Sequence, residues 1–322
     1  MQITTHSDDS VGAIGETGLI QSIKKWLGPV TPATPYGMGD DCAVLPASAQ
    51  AQVITTDALS YGLHFDASVR AQDAGAKLIK RNLSDIAAMG GTPQHAVLAL
   101  LCGPDISLAW LEAFFRGVCS ACIQYELKIV GGDVSALPPG QFSAVLTLLG
   151  SAASPRRRDQ AQSGDWVYVT GQLGGSIIKK HWDFTPRLEE GRWLAQRCEC
   201  SSLMDLTDGL AKDLKALIPS GCAAELELEQ IPLAADAQRC ADRTHRSALE
   251  HAFCDGEDYE LLFTIRQTEP LGFEQAWAER FPQVKLSRIG RVCLATQSAP
   301  YINAVNRQPI PWTQGFEHLT PA

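Results

Sequence analysis

The chain predicts a mixed α/β protein of two domains, and three observations predict it. Its 322 residues exceed one ordinary hydrophobic core. Short β-branched runs alternate with longer stretches of helical periodicity in both halves. A small, turn-forming and then basic stretch, Gly150-Ser151-Ala152-Ala153-Ser154-Pro155-Arg156-Arg157-Arg158, falls near the middle and suits an inter-domain connection. The expected domains are therefore 1–150 and 151–322. No periodic repeat is present.

In the first half, Gln52-Val53-Ile54-Thr55-Thr56 is short and β-branched, which predicts a strand that delivers Asp57 at its end. A helical pattern follows over Asp73 to Met89. Ala74, Leu78, Asn82, Asp85 and Met89 recur at three- and four-residue steps and share one face, while Ile79, Leu83 and Ile86 make the opposite face apolar as well. Such a helix is buried near its C-terminal end. A buried Asn and Asp one turn apart need partners, either a capping or helix–helix hydrogen bond or a metal ion; the rarity of unpaired buried carboxylates favours the metal. Ala96 to Leu101 predicts a strand, Leu108 to Tyr125 a helix, and Leu127-Lys128-Ile129-Val130 a strand running into Gly131-Gly132-Asp133. Phe142 to Leu149 predicts the last strand of this half. The second half restarts with the strand Trp166-Val167-Tyr168-Val169-Thr170 and the glycine-rich Gly171-x-x-Gly174-Gly175. A helix follows Asp208-Gly209-Leu210, and Leu261-Leu262-Phe263-Thr264-Ile265 is a strand.

Composition narrows the classes. Apolar residues make up 45% and charged residues 20%, as in ordinary globular proteins. The net charge of −9 argues against nucleic-acid backbones as the main partner. No apolar stretch approaches the ~18 residues that a membrane helix needs. The start, Met1-Gln2-Ile3-Thr4-Thr5-His6-Ser7-Asp8-Asp9, lacks the basic and apolar parts of a signal peptide, so a cytoplasmic protein is expected. Ten cysteines do not form a metal or disulfide pattern. Cys119-x-x-Cys122 lies in a helical stretch without a second pair, and Cys198-x-Cys200 is too close for a usual zinc knuckle.

Six short acidic segments carry the chemistry. They are Gly39-Asp40-Asp41, Thr55-Thr56-Asp57, Asn82-Leu83-Ser84-Asp85, Gly131-Gly132-Asp133, Met204-Asp205-Leu206-Thr207-Asp208-Gly209 and Asp255-Gly256-Glu257-Asp258-Tyr259. Most stand where an apolar run stops, the place where strand ends hand over to binding loops. Gathered carboxylates need a cation between them, and hard oxygen ligands select Mg²⁺ or Ca²⁺. A multi-magnesium site for phosphates is the first expectation. No Gly-x-x-x-x-Gly-Lys-Ser/Thr loop, His-Arg-Asp or Asp-Phe-Gly is present, so a nucleotide would be held through metal ions bridging its phosphates to carboxylates. Gly131-Gly132 would allow close backbone approach to phosphate.

These segments, in this order from about Gly37 to Phe316, resemble the thiamine-monophosphate kinase family, within the superfamily of aminoimidazole ribonucleotide synthetase and selenophosphate synthetase. Gly39-Asp40-Asp41-Cys42-Ala43-Val44-Leu45, Thr55-Thr56-Asp57 with Gly62-Leu63-His64-Phe65, Asn82-Leu83-Ser84-Asp85-Ile86-Ala87-Ala88-Met89-Gly90 and Gly256-Glu257-Asp258-Tyr259-Glu260-Leu261 carry the likeness. It implies two mixed domains of the aminoimidazole-ribonucleotide-synthetase-like type. The N-terminal one binds ATP and Mg²⁺ and closes a barrel across a homodimer interface, and the C-terminal one contributes metal and substrate residues. It implies ATP-dependent phosphorylation of thiamine monophosphate to thiamine diphosphate with several Mg²⁺ ions. Asp41, Thr55, Thr56, Asp57, Asp85, Asp133, Asp205 and Asp208 match metal positions. Gly132, Asp133, Arg158 and Thr207 match ATP positions, while His64, Glu257 and Phe316 match positions that meet thiamine. Arg158 is equally readable as an exposed charge in a basic turn, and Trp312 as a pin for the C-terminal tail. The segments Asn82-Leu83-Ser84-Asp85 and Gly256-Glu257-Asp258-Tyr259-Glu260 favour this family over aminoimidazole ribonucleotide synthetase, and the lack of a Cys in a glycine-rich N-terminal segment disfavours selenophosphate synthetase.

Three positions depart from the family's pattern. Thr207 stands where Ser is usual and keeps the hydroxyl. Phe316 stands where Tyr or Trp is frequent. Asp255 replaces the first glycine of Gly-Gly-Glu-Asp and adds charge and bulk beside the substrate loop. No general base is expected, because a phosphate monoester with a second pKa of about 6 is already largely a dianion at neutral pH. The aspartates then serve as metal carriers, and an aromatic such as Phe316, with Glu257, would attract the thiazolium cation.

Overall fold

A computed structural model describes residues 1–4, 9–33, 36–38, 45, 47–266, 270–295 and 299–317. The chain forms two compact units, one of Met1–Ile86 with Thr92–Ala153, the other of Ala87–Gly91 with Ser154–Ala322.

The first unit opens with helix α1 (Val11–Leu27), whose N-terminus is capped by the Ser10 hydroxyl accepting from the Ala13 N–H at 3.2 Å. Strand β1 (Ala51–Ser60), helix α2 (Ala71–Ala88), strand β2 (Thr92–Cys102), helix α3 (Leu108–Gln124), strand β3 (Lys128–Ala136) and strand β4 (Phe142–Ala152) follow. The sheet order is β1-β4-β2-β3. β4 is antiparallel to both neighbours, and β2 and β3 are parallel through the α3 crossover. Alternation along the strands buries one face: Val53 and Leu59, Leu98 and Leu100, Leu146 and Leu148. Leu78, Ile79, Leu83 and Ile86 of α2 are 0–1% exposed, as its two-sided apolar pattern requires. Phe65, Trp110, Phe114 and Phe142 form an aromatic cluster with centroid separations of 5.1–6.3 Å.

The second unit contains strand β5 (Trp166–Thr170), helix α4 (Leu188–Ala195), strand β6 (Cys200–Asp205), helix α5 (Leu210–Leu217), strand β7 (Cys222–Leu226), helix α6 (Ala235–Ala241), helix α7 (Ala248–Cys254), strand β8 (Leu261–Ile265), helix α8 (Pro270–Arg280), strand β9 (Leu286–Leu294) and strand β10 (Tyr301–Asn303). They build a six-stranded sheet in the order β10-β7-β9-β5-β8-β6. Every residue of β6 and β8 is buried, so this sheet is covered on both faces there. Its core gathers Val167, Val169, Met204, Leu214, Phe253, Leu262 and Tyr301.

Three expectations change. β1 continues four residues beyond Thr56, so Asp57 lies inside a strand and not at its end. Gly131-Gly132-Asp133 lies within β3. Gly150 to Ala152 complete β4 and are not linker. The free cysteines make no disulfide among the described residues, and Cys198 is exposed.

Candidate active site

In the first unit the β1 segment Thr55-Thr56-Asp57 faces two ways. Thr55 and Asp57 alternate in phase with Val53 and Leu59 on the face that α2 covers. There the Thr55 hydroxyl donates to the Asp85 carboxylate, and Arg81 pairs with Asp57 at 3.3 Å while also donating to the Ala58 carbonyl at 2.6 Å. Thr56 is on the other face, bonded to the Thr147 hydroxyl at 3.0 Å. Asp85 is half-buried, where the sequence suggested burial; its neighbour Asn82 is fully buried. Asn82 donates Nδ2 to the Leu78 carbonyl at 2.9 Å and leaves Oδ1 without a hydrogen-bond partner.

Asp133 is elsewhere. β1 and β3 are opposite edges of the sheet with β4 and β2 between them, which at about 4.8 Å per strand separates them by roughly 14 Å. The register aligns Asp57 with Leu146, Leu98 and Gly132, and Asp133 with Val145 and Ala99. The two aspartates therefore emerge on opposite faces, and Asp133, exposed, accepts from the Ser135 hydroxyl at 2.7 Å. A Cβ at Gly132 would sit 2.0 Å from the Leu98 carbonyl oxygen, so the packing of β2 against β3 already demands glycine there. His64 lies in the turn after β1. Its Nδ1 accepts from the Ser60 N–H at 3.0 Å, and its carbonyl accepts from the fully buried Lys77 at 2.7 Å. Asp41 lies outside the described residues.

The second unit gathers its candidates on adjoining loops. Asp205, 4% exposed, ends β6, and Thr207 and Asp208 lead into α5. Both of their N–H groups donate to Asp213 Oδ2, at 2.9 and 3.0 Å. Asp213 was not anticipated from sequence; its signal is an acidic residue in the first turn of the helix after Asp208-Gly209. Burial pushes its carboxyl up to about 7, with the charge of Asp208 adding and the two N–H bonds opposing. Asp208 pairs with Lys212 at 2.8 Å.

Two further segments are tied to this loop. Glu257 donates its N–H to the Thr207 carbonyl at 2.8 Å, and Phe316 donates its N–H to the Asp208 carbonyl at 2.8 Å. The Glu257 side chain accepts from the Tyr259 hydroxyl at 2.9 Å and lies 3.6 Å from His181 Nδ1. Gly256, Glu257 and Tyr259 all have positive φ, at 77°, 55° and 50°. A Cβ at Gly256 would in addition meet the Thr207 carbonyl oxygen at 2.6 Å. Asp258, 1% exposed, takes the Gly174 N–H at 2.9 and 3.1 Å on its two oxygens, and burial pushes its carboxyl up to about 7. Glu260, 2% exposed, holds Lys180 at 2.8 Å and Arg187 at 2.7 Å. Burial raises its pKa, but the two cations outweigh burial and leave it below the ordinary carboxylate value. Arg158 is exposed in a short turn, its carbonyl accepting from Ser202 at 2.6 Å. Trp312 packs on Phe253 at 5.3 Å, whereas Phe316 is 42% exposed.

The donors are oxygen throughout, and the candidate carboxylates Asp57 and Asp208 already face a cation. No group of three His, Cys, Asp or Glu side chains converges among the described residues. That set fits Mg²⁺, which takes one or two carboxylates and completes its shell with water and substrate phosphate. No helix among the described residues is long and apolar enough to cross a membrane.

Residues 39–152 match the family described as AIR synthase related protein, N-terminal domain. The chain is 35% identical over 298 residues to the thiamine-monophosphate kinase of Rhodopirellula baltica, covering 89% of this chain and 92% of that one. Among solved structures, thiamine-monophosphate kinase from Stenotrophomonas maltophilia K279a superposes with a TM-score of 0.70 at 28% identity over 92% of this chain and 96% of that one. AaThiL complexed with AMPPCP and TMP gives 0.69 at 29% over 93% and 96%. With a two-sheet mixed α/β fold of the AIR synthase related type and this extent of identity, the chain belongs to the thiamine-monophosphate kinase family.

Proposed function

We propose that this protein transfers the γ-phosphoryl group of ATP to the phosphate of thiamine monophosphate, giving thiamine diphosphate and ADP. One observation carries the reading most directly. In the second unit Thr207, expected at ATP, and Asp208, expected at a metal ion, accept through their carbonyls from the N–H groups of Glu257 and Phe316, expected at the thiamine substrate. One connected set of loops would then serve the metal-bound donor and the organic end of the acceptor together. The binding of AMPPCP and TMP by a structural neighbour supports the same substrates.

Thr55, Thr56, Asp57, Asp85, Asp133, Asp205 and Asp208, with Asp41, would hold Mg²⁺. When bound, Mg²⁺ neutralises the two anionic reactants and aligns attacking and leaving oxygens. Gly132, Asp133, Arg158 and Thr207 would contact ATP. The acceptor, largely a dianion, has no proton to surrender, so these carboxylates carry metal and do not act as bases. The Glu257 carboxylate, oriented by Tyr259 and His181, would face the thiazolium cation, and the exposed ring of Phe316 would add about 0.5–2 kcal/mol of cation–π attraction. His64 would complete the acceptor's contacts. On the face of the four-stranded sheet opposite α2, Ile54 is 70% exposed and Val97 41% exposed. A second copy closing a barrel over that face belongs to the same reading, as does a cytoplasmic location.

The test is direct. Purified protein with ATP, Mg²⁺ and thiamine monophosphate is expected to yield thiamine diphosphate and ADP. Folded protein that binds ATP yet gives no product would refute the assignment.

A further inference from the structure

We propose that Asp255 is a positioning residue. With His251 and Arg246 it locks the entry to the Gly256–Tyr259 segment and so fixes Glu257 toward the organic end of the acceptor. The proposal rests on Glu257 meeting the thiamine end, the role assigned to it under the proposed function.

Asp255 comes after the last turn of α7 in a right-handed conformation, φ −75° and ψ −38°, with its N–H donating to the His251 carbonyl at 3.1 Å. A side chain is therefore accommodated where a glycine would be usual, and it is fully engaged. One carboxylate oxygen meets His251 Nδ1 at 2.7 Å, and the other meets Arg246 at 3.0 Å. His251 is bonded through Nε2 to the Thr244 hydroxyl at 2.9 Å, and Arg246 also holds Glu250 at 3.0 Å. The Asp255 and His251 side chains are 13% and 5% exposed, so the pair is shielded from water and stronger than a surface contact.

The next two residues of the chain take positive φ, which glycine adopts freely and Glu257 only under strain. Gly256 and Glu257 have φ of 77° and 55°, and a non-glycine residue enters that region only when its surroundings compel it. The downstream end is held by the Tyr259 N–H on the Leu206 carbonyl at 2.8 Å, by the Tyr259 ring stacked on Phe184 at 3.9 Å and by Asp258 on the Gly174 N–H. Upstream, the side chain of Asp255 ties the segment to His251 and Arg246. A glycine at 255 would supply neither bond and would place two flexible residues in series before Glu257. The carboxylate of Glu257 would then keep its chemistry and lose its fixed direction, which weakens recognition of the organic cation more than the transfer step.

The experiment compares wild type, Asp255→Gly and Asp255→Asn in steady-state kinetics for both substrates, and in amide hydrogen exchange over 255–259. For Asp255→Gly we expect the KM for thiamine monophosphate to rise about tenfold, the scale of losing charged hydrogen bonds, with the KM for ATP within about twofold. Asp255→Asn retains an oxygen for either partner and restores most of the loss. The Glu257 amide is expected to exchange about tenfold faster in the glycine variant. An unchanged KM for thiamine monophosphate overturns the proposal, and so does a parallel loss in kcat and both KM values, which marks a purely structural role. Wild-type protein that fails to turn over thiamine monophosphate refutes the functional reading instead. Exchange then judges the lock alone, and an unchanged Glu257 rate overturns it.

Discussion

Replacing Asp258 by Asn isolates the consequence of burying a carboxylate beside the substrate loop. Asp258 is 1% exposed, and burial pushes its pKa from 3.8 to about 7. Lys180 and the Gly174 N–H oppose the rise, and Glu260 and Asp255 reinforce it. Between those two values the folded chain keeps a proton that the unfolded chain has released, so the unfolded state binds fewer protons and stability falls as pH rises. The contribution is complete below about pH 4 and lost above about pH 7. A difference of about three units from 3.8 to about 7 corresponds to a ceiling of about 4 kcal/mol. About two of those units lie between pH 5 and the upper limit, so wild type is expected to lose about 2–3 kcal/mol relative to Asp258→Asn between pH 5 and pH 8. The asparagine carbonyl can still accept from Gly174, and any fixed cost of its amide group cancels in the comparison across pH. Urea unfolding at 25 °C of both proteins at pH 5, 6, 7 and 8 measures it. A stability difference constant to within about 0.5 kcal/mol over that range would refute the reasoning.

Glu260→Gln should destabilise the second unit by about 3 kcal/mol, because Lys180 loses its buried counter-charge and Arg187 keeps the more distant Glu190, at 3.9 Å; a urea midpoint equal to that of wild type would contradict the pairing. Mg²⁺ with an ATP analogue should raise the melting temperature, and Asp57→Asn and Asp133→Asn should each reduce the rise. Their losses should add to within about 0.3–0.5 kcal/mol, since side chains on opposite faces and edges of one sheet share no ion; strong coupling in the double variant would overturn that separation.

β1 to β4, α2 and α3 of the first unit, and β5, α5 and β8 of the second, are legible from regular apolar periods, as in α2 and β4, or from a short continuous apolar run, as in β8; α1, α4, α6 to α8, β6, β7, β9 and β10 are not legible in this way. The reading failed where polarity interrupts a strand without ending it. β1 runs through Thr55-Thr56-Asp57 because Asp85 and Arg81 of α2 meet Thr55 and Asp57 and Thr147 of β4 meets Thr56, a long-range compensation that no local pattern displays. β3 runs through Gly131-Gly132-Asp133 because Leu98 packs against Gly132 on one side, while the outer edge is unpaired within this sheet. The partners of Glu260 were equally hidden: Lys180 and Arg187 lie 80 and 73 residues away. Asp213 is different, since its position in the first turn after Asp208-Gly209 is a readable capping signal.

The acidic residues divide by what they hold. Asp213, Asp258 and Asp165, at 4%, 1% and 4% exposure, each accept backbone N–H groups, so their oxygens are committed to the loops they brace. Asp57 and Asp208 have side chains 30% and 29% exposed; Asp208 pairs with the part-exposed Lys212, whereas Asp57 pairs with Arg81, which is 12% exposed and also held by the Ala58 carbonyl. Asp133 is exposed and accepts from a serine hydroxyl. Exchange of a protein partner for Mg²⁺ needs access from water and a partner whose departure leaves no buried N–H unpaired. Asp208 and Asp133 meet both conditions, Asp57 meets only the first because Arg81 is buried, and the braced group meets neither. Asp205 tests the division, because it is 4% exposed at the end of β6 yet belongs to the expected metal set. A ligand role would require local opening at the end of β6, beside the Leu206-Thr207-Asp208 loop that is braced by Asp213 and tied to Glu257 and Phe316. If Asp205 is a ligand, metal entry and acceptor binding would act on neighbouring hydrogen bonds, and Asp213→Asn should then weaken both; an effect on neither would leave Asp213 a purely local brace.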